Sequence, residues 1–132
     1  MTEMAMVRDV MSTSLLTVEA TEPLAQAAAR MDARRVGAAL VLNGERLSGI
    51  LTERDVLRAV ASGGVEGTQV GAWMTHDPET IEPGDTTGHA AALMIHGGFR
   101  HLPVLEGGRP VGIVSIRDLM RIVIDDESPR GV

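Results

Sequence analysis

The chain contains no cysteine, and its aromatic residues number two, Trp73 and Phe99. Without thiols there is no disulfide framework, no thiolate zinc site and no cysteine nucleophile. Without aromatic rings there is no stacking platform of the kind that holds single-stranded nucleic acid. Positive charge is also in deficit: 12 basic against 18 acidic residues give a formal charge of −6, which opposes a general phosphate-backbone binder. No stretch approaches the ~18 apolar residues needed to cross a bilayer. The N-terminus, residues 1–8, lacks a basic stretch followed by an apolar run, so no signal peptide is expected. These absences predict a cytoplasmic protein with no nucleic-acid and no membrane partner. What remains is an ordinary globular balance, 44% apolar and 23% charged over 132 residues. A chain of that length buries roughly two-thirds of its unfolded surface, enough for a core without metal or disulfide staples.

The dominant positive feature is a repeat. Shifting the sequence by 63 positions aligns residues 7–60 with 70–123 without a gap, and 18 of the 54 pairs are identical, against about four by chance. The pairs include Met11/Met74, Ala27/Ala90, Met31/Met94, Val41/Val104, Gly49/Gly112, Arg54/Arg117, Asp55/Asp118 and Arg58/Arg121. One unit has been used twice.

Each unit reads as β-α-β-β-α behind a short leading helix near Val7–Met11 or Val70–Met74. Leu24, Ala27, Ala28 and Met31 have the spacing of a helix with one buried stripe, repeated by Ala90, Ala91 and Met94. Thr21 and Asp85 are candidate N-caps, with Pro23 in the first turn. The apolar runs 39–42 and 102–105 lead through Asn43-Gly44 or Gly107-Gly108 into 49–51 and 112–114, a hairpin signal. A second amphipathic helix follows, through Val56, Leu57 and Val60 or Leu119, Met120 and Val123.

A unit of about 60 residues is marginal alone, because its open sheet face needs a cover. The expectation is an α+β fold: unit 1 over residues 1–64 and unit 2 over 65–132, packed sheet to sheet about a pseudo-twofold axis through the loop 62–67. Ligand clefts are then expected along the seam.

These features resemble the tandem cystathionine-β-synthase (CBS) domain pair, or Bateman module, over nearly the whole chain. The marks are Asp9-Val10-Met11-Ser12 and Trp73-Met74-Thr75, then Arg100-His101-Leu102-Pro103-Val104. Most specific are Gly49-Ile50-Leu51-Thr52-Glu53-Arg54-Asp55 and Gly112-Ile113-Val114-Ser115-Ile116-Arg117-Asp118. The resemblance implies a non-catalytic regulatory module binding AMP, ADP, ATP or S-adenosylmethionine, with no obligatory cofactor. It also implies a homodimer acting on an unidentified protein target.

The residues bear on that implication. Thr52 and Ser115 stand where a strand ends and a helix begins, so first-turn N–H groups offer an anion site. A carboxylate three residues on repels phosphate but accepts ribose hydroxyls, which assigns Asp55 and Asp118 to a 2′,3′-diol. Arg54 and Arg117 are beside them as phosphate donors. Ser/Thr-x-x-Asp is equally a capping box that needs no ligand, which leaves open a purely structural dimerisation domain. By resemblance, Val36, Gly37 and Ala38, with Phe99, Arg100 and His101, supply contacts to an adenine. Thr17 and Val18, with Thr80 and Ile81, line the opposite wall, though core packing explains these residues as well. Arg100 and His101 face Gly37 and Ala38 in the alignment, so the two sites are expected to differ in their preference for phosphate charge. The histidines 76, 89, 96 and 101 show no metal-ligand spacing, and no metal is expected. Nothing resembling a catalytic triad or a P-loop is present.

Overall fold

A computed structural model describes residues 5–127 of the chain. The elements run α1 (Val7–Val10), β1 (Thr17–Val18), α2 (Leu24–Arg34), β2 (Ala38–Asn43), β3 (Arg46–Thr52) and α3 (Glu53–Ala61). A 3₁₀ turn (Val70–Ala72) and β4 (Thr75–His76) follow. The second half contains α4 (Thr87–Gly97), β5 (His101–Glu106), β6 (Arg109–Ser115) and α5 (Ile116–Glu127). The fold is mixed α+β, with one sheet in the order β1-β2-β3-β4 and another formed by β5 and β6.

The chain divides into two bodies: Ser14–Pro78, and the remaining described residues, 5–13 with 79–127. Each body is completed by the leading segment that belongs, in the repeat, to the other half. In the first, β4 pairs antiparallel with β3, Thr75 opposite Ile50. In the second, Ser12 occupies the equivalent place and exchanges two backbone hydrogen bonds with Ile113, of 2.8 and 3.0 Å.

The two hairpins share a register down to their irregularity. Val41 opposes Gly49 and Leu42 opposes Leu47, leaving Ser48 as an extra residue; Val104/Gly112 and Leu105/Pro110 leave Val111 in the same position. Such a bulge bends and twists the strand. The turn itself is one residue later than Asn43-Gly44. Asn43 pairs with Arg46, so Gly44 and Glu45 form the loop, with Gly44 at φ 65°. The equivalent of β1 shrinks to a single parallel bridge, Ile81 with Val104.

Two cores follow from these pairings. Leu24, Ala27 and Met31 of α2 pack with Val18, Ala39, Val41, Leu51, Ala59, Val70 and Met74. In the other body Ala90 and Met94 pack with Val7, Ile81, Leu102, Val104, Val114 and Leu119. Residues 38–41 are buried on both sides of β2, which is why this strand reads as a continuous apolar run and not as an alternation.

The helix starts differ from the sequence expectation. Thr21 does not cap α2; Pro23 occupies the N-cap without a side-chain hydrogen bond, and the Leu24 N–H goes to the Thr68 carbonyl. Asp85 does not cap α4. Its carboxylate accepts from the Glu82 N–H at 2.8 Å, closing the preceding turn, while Thr86 Oγ1 accepts from the His89 N–H at 3.1 Å. Both helices end in a left-handed residue: Gly98 (φ 73°) after α4 and Arg35 (φ 54°) after α2.

Candidate functional site

The Ser/Thr-x-x-Asp motifs lie where a hairpin's second strand passes into a helix. Thr52 is extended, at φ −112° and ψ 163°, so its side chain folds back over the first turn of α3. Its Oγ1 accepts from the Asp55 N–H at 3.3 Å. In return Asp55 Oδ2 accepts from the Thr52 N–H at 2.9 Å and from the Thr52 hydroxyl at 3.0 Å. Ser115 and Asp118 repeat the arrangement: Asp118 Oδ2 accepts from the Ser115 N–H at 2.8 Å, and Ser115 Oγ accepts from the Asp118 N–H at 3.1 Å. Both motifs are therefore formed capping boxes.

This narrows the expected anion site. The Asp55 N–H is taken by Thr52, and the Glu53 N–H donates to the Gly37 carbonyl at 2.9 Å. At most the Arg54 N–H of that turn is left for a ligand. In the other unit the Ile116 N–H donates to the Arg100 carbonyl at 2.8 Å and the Asp118 N–H is bound by Ser115. The same bonds tie the motif to the strand start, bringing Gly37 beside Glu53 and Arg100 beside Ile116.

Each aspartate keeps its second oxygen outside the capping box. Asp55 Oδ1 is 3.6 Å from Arg58, and Asp118 Oδ1 is 3.4 Å from Arg121. Arg58 and Arg121 are an identical pair of the repeat, one helical turn beyond each aspartate, whereas the residues expected from the sequence as phosphate donors are Arg54 and Arg117. Those two are exposed on the first turns of their helices. The carboxylates are far less accessible: the Asp55 side chain is 8% exposed and that of Asp118 14%.

The other predicted residues are distributed around these boxes. Ala38 is buried and pairs with Thr52, and His101 is half-buried and pairs with Ser115. Thr17 lies on the other side of β2, opposite Leu40, and its carbonyl accepts from Arg30 at 3.1 Å. Val18 and Ile81 point into the two cores, and Val36 and Phe99 pack against them. Thr80 and Gly37 are half-buried and Arg100 is exposed. Among the described residues no group of three His, Asp or Glu side chains is placed to hold a metal ion. None of the described helices is long and apolar enough to cross a membrane.

Two β-α-β-β-α units of one period, each with a capping-box aspartate between hairpin and helix, define a tandem CBS pair. The sequence model of the CBS domain matches residues 7–62 and again 70–125, and the chain belongs to that family. It is 33% identical over 121 residues to a 17.7 kDa protein of Acidianus ambivalens, covering 90% of this chain and 73% of that one. It is 33% identical over 126 residues to the CBS domain-containing protein YhcV of Bacillus subtilis, covering 95% and 90%. Other relatives are longer: the chain spans 43% of MJ1225 of Methanocaldococcus jannaschii and 19% of CBSCBSPB1 of Arabidopsis thaliana.

Among solved structures, a putative signal-transduction protein with CBS domains from Burkholderia ambifaria superposes with a TM-score of 0.88 at 32% identity, covering 97% of this chain and 100% of that one. The fold is shared at 22% identity with the CBS pair of MJ0100, in complex with 5′-methylthioadenosine and S-adenosyl-L-methionine (TM-score 0.88; 95% and 100% covered). At the same identity it is shared with CBSX2 in complex with AMP (TM-score 0.79; 92% and 98% covered).

Proposed function

We propose that this CBS pair is a regulatory module that binds an adenosine-containing ligand, AMP, ADP, ATP or S-adenosylmethionine, through the ribose hydroxyls at Asp55 and Asp118. The observation that carries the reading is the division of labour within each carboxylate. Oδ2 is held by the Thr52 or Ser115 N–H, which fixes the side chain, while Oδ1 lies outside the box. A fixed, charged acceptor suits a diol, whose two hydroxyls are donors. The adenosyl ligands bound by the CBS pairs of MJ0100 and CBSX2 support an adenosine-containing ligand here.

Arg54 and Arg117, exposed on the first turns, serve as phosphate donors in this reading. The exposed Arg100 brings a permanent cation and the half-buried His101 a titratable one where the first unit has Gly37 and Ala38, so in this reading the site that receives them favours the more highly charged nucleotide. Ligand binding acts on a protein target, in a homodimer, by its differential affinity for two conformations. No catalytic role is assigned.

A second reading is favoured by one observation: both boxes are complete with protein partners alone, so the motif can serve helix capping in a dimerisation domain. A thermal-shift screen against AMP, ATP, S-adenosylmethionine and NAD separates the two. A ligand at 100 times its dissociation constant adds about 2.7 kcal/mol of stability. A shift with at least one adenosyl ligand is expected; none with any of them leaves the capping reading.

A further inference from the structure

Arg58 stands between two groups of the body Ser14–Pro78. Its Nη1 lies 3.6 Å from Asp55 Oδ1, and its guanidinium carbon is 5.9 Å from the centre of the Trp73 ring. The indole is anchored in turn, because Nε1 donates to Thr68 Oγ1 at 3.2 Å and the Trp73 N–H donates to the Val70 carbonyl at 3.0 Å. A cation over an indole face is attracted by the ring quadrupole. The Asp55 side chain is buried and doubly held by Thr52, whereas the Arg58 side chain is 64% exposed. Of the pair, the arginine is the part that can move. A separation of 3.6 Å is beyond a direct hydrogen bond, so Oδ1 keeps its acceptor capacity for another donor.

The other body lacks this device. Arg121 approaches Asp118 Oδ1 at 3.4 Å, but Val10 stands in the repeat where Trp73 does, so the indole has no counterpart there.

We infer that Arg58 is a positioning residue for Asp55, held in place by Trp73, and that the indole reports occupancy of this one site. The inference rests on the nucleotide reading above. Ribose hydroxyls that donate to Oδ1 reduce the negative potential facing Arg58. The guanidinium then shifts its balance toward the indole, and tryptophan emission changes. The body that holds Asp118 contains no tryptophan, because the single tryptophan of the chain is Trp73.

The test follows AMP binding to the intact protein by calorimetry and by tryptophan emission, for the parent, Arg58→Gln, Arg58→Lys and Arg121→Gln. The parent is expected to show an emission change that saturates with one calorimetric event. Arg58→Gln abolishes that change and weakens that event several-fold; Arg58→Lys, which keeps the cation, restores both; Arg121→Gln leaves the emission change intact. Heat without an emission change, or an emission change that survives Arg58→Gln, overturns the inference and leaves the nucleotide reading standing. Absence of heat with AMP, ATP and S-adenosylmethionine overturns both.

Discussion

Met74 lies over the bare backbone of Gly49: a Cβ at Gly49 would stand 2.8 Å from the methionine sulfur and 2.7 Å from the Thr75 carbonyl oxygen. Met11 does the same to Gly112, where a Cβ would stand 2.6 Å from the sulfur and 3.0 Å from the Ser12 carbonyl oxygen. Each leading segment is thus seated on a glycine of the opposite repeat. Gly49→Ala and Gly112→Ala are each expected to lower stability by about 1–3 kcal/mol through overpacking. Gly49→Ala should cost more, because the nearest obstacle is a backbone oxygen of the β3–β4 ladder and not a flexible side chain. Urea denaturation of the two variants checks both the size and the order.

Arg35 and Gly98 close α2 and α4 in the same left-handed conformation. A side chain there costs about 1–2 kcal/mol, partly offset in a glycine variant by the greater entropy of its unfolded chain. Arg35→Gly should therefore leave stability unchanged or raise it by up to about 1 kcal/mol, and Gly98→Arg should lower it by a similar amount. Thermal unfolding of both variants measures the pair.

Arg30 clamps Glu22 through both carboxylate oxygens, at 3.0 and 2.8 Å, and reaches the Thr17 carbonyl at 3.1 Å. The Glu22 side chain is 11% exposed, so Arg30→Ala strands a largely buried carboxylate. A loss of about 1–3 kcal/mol is expected. The double variant Arg30→Ala/Glu22→Gln should recover part of it, because the stranded charge is gone; a denaturant midpoint no higher than that of Arg30→Ala would contradict this account.

Thr52→Ala removes the hydroxyl half of one capping box while leaving Asp55. A cap of this kind contributes about 0.5–2 kcal/mol. The expected result is a lower unfolding temperature with nucleotide affinity retained, since the Thr52 N–H still holds Asp55 Oδ2.

Much of this was legible in the sequence because the period is gapless. Met31 with Met94, Val41 with Val104 and Asp55 with Asp118 fixed the element order and the box, and the structure forms both boxes. Other features follow from tertiary context. A period shows that Met11 and Met74 are equivalent, but not that each sits on the other repeat's glycine. Thr21 was a sound candidate cap by residue type, yet the Thr68 carbonyl reaches the Leu24 N–H and Pro23 sets the helix entry. Arg58 was visible only as a repeated residue, because its tie to Trp73 joins positions 15 apart through the fold.

In the proposed site Asp55 and Asp118 each receive a ribose diol. Replacing them with alanine would remove the cap together with the acceptor, so asparagine is the informative change. Its carbonyl can still accept from the Thr52 or Ser115 N–H, while an amide takes the place of Oδ1. Isothermal titration of the intact protein with AMP should show one binding event weakened about ten- to a hundredfold in Asp55→Asn, and the other in Asp118→Asn. Both should weaken in the double variant, with unfolding midpoints close to the parent. Unaltered AMP affinity in a folded Asp55→Asn/Asp118→Asn protein would rule out ribose binding at these two carboxylates.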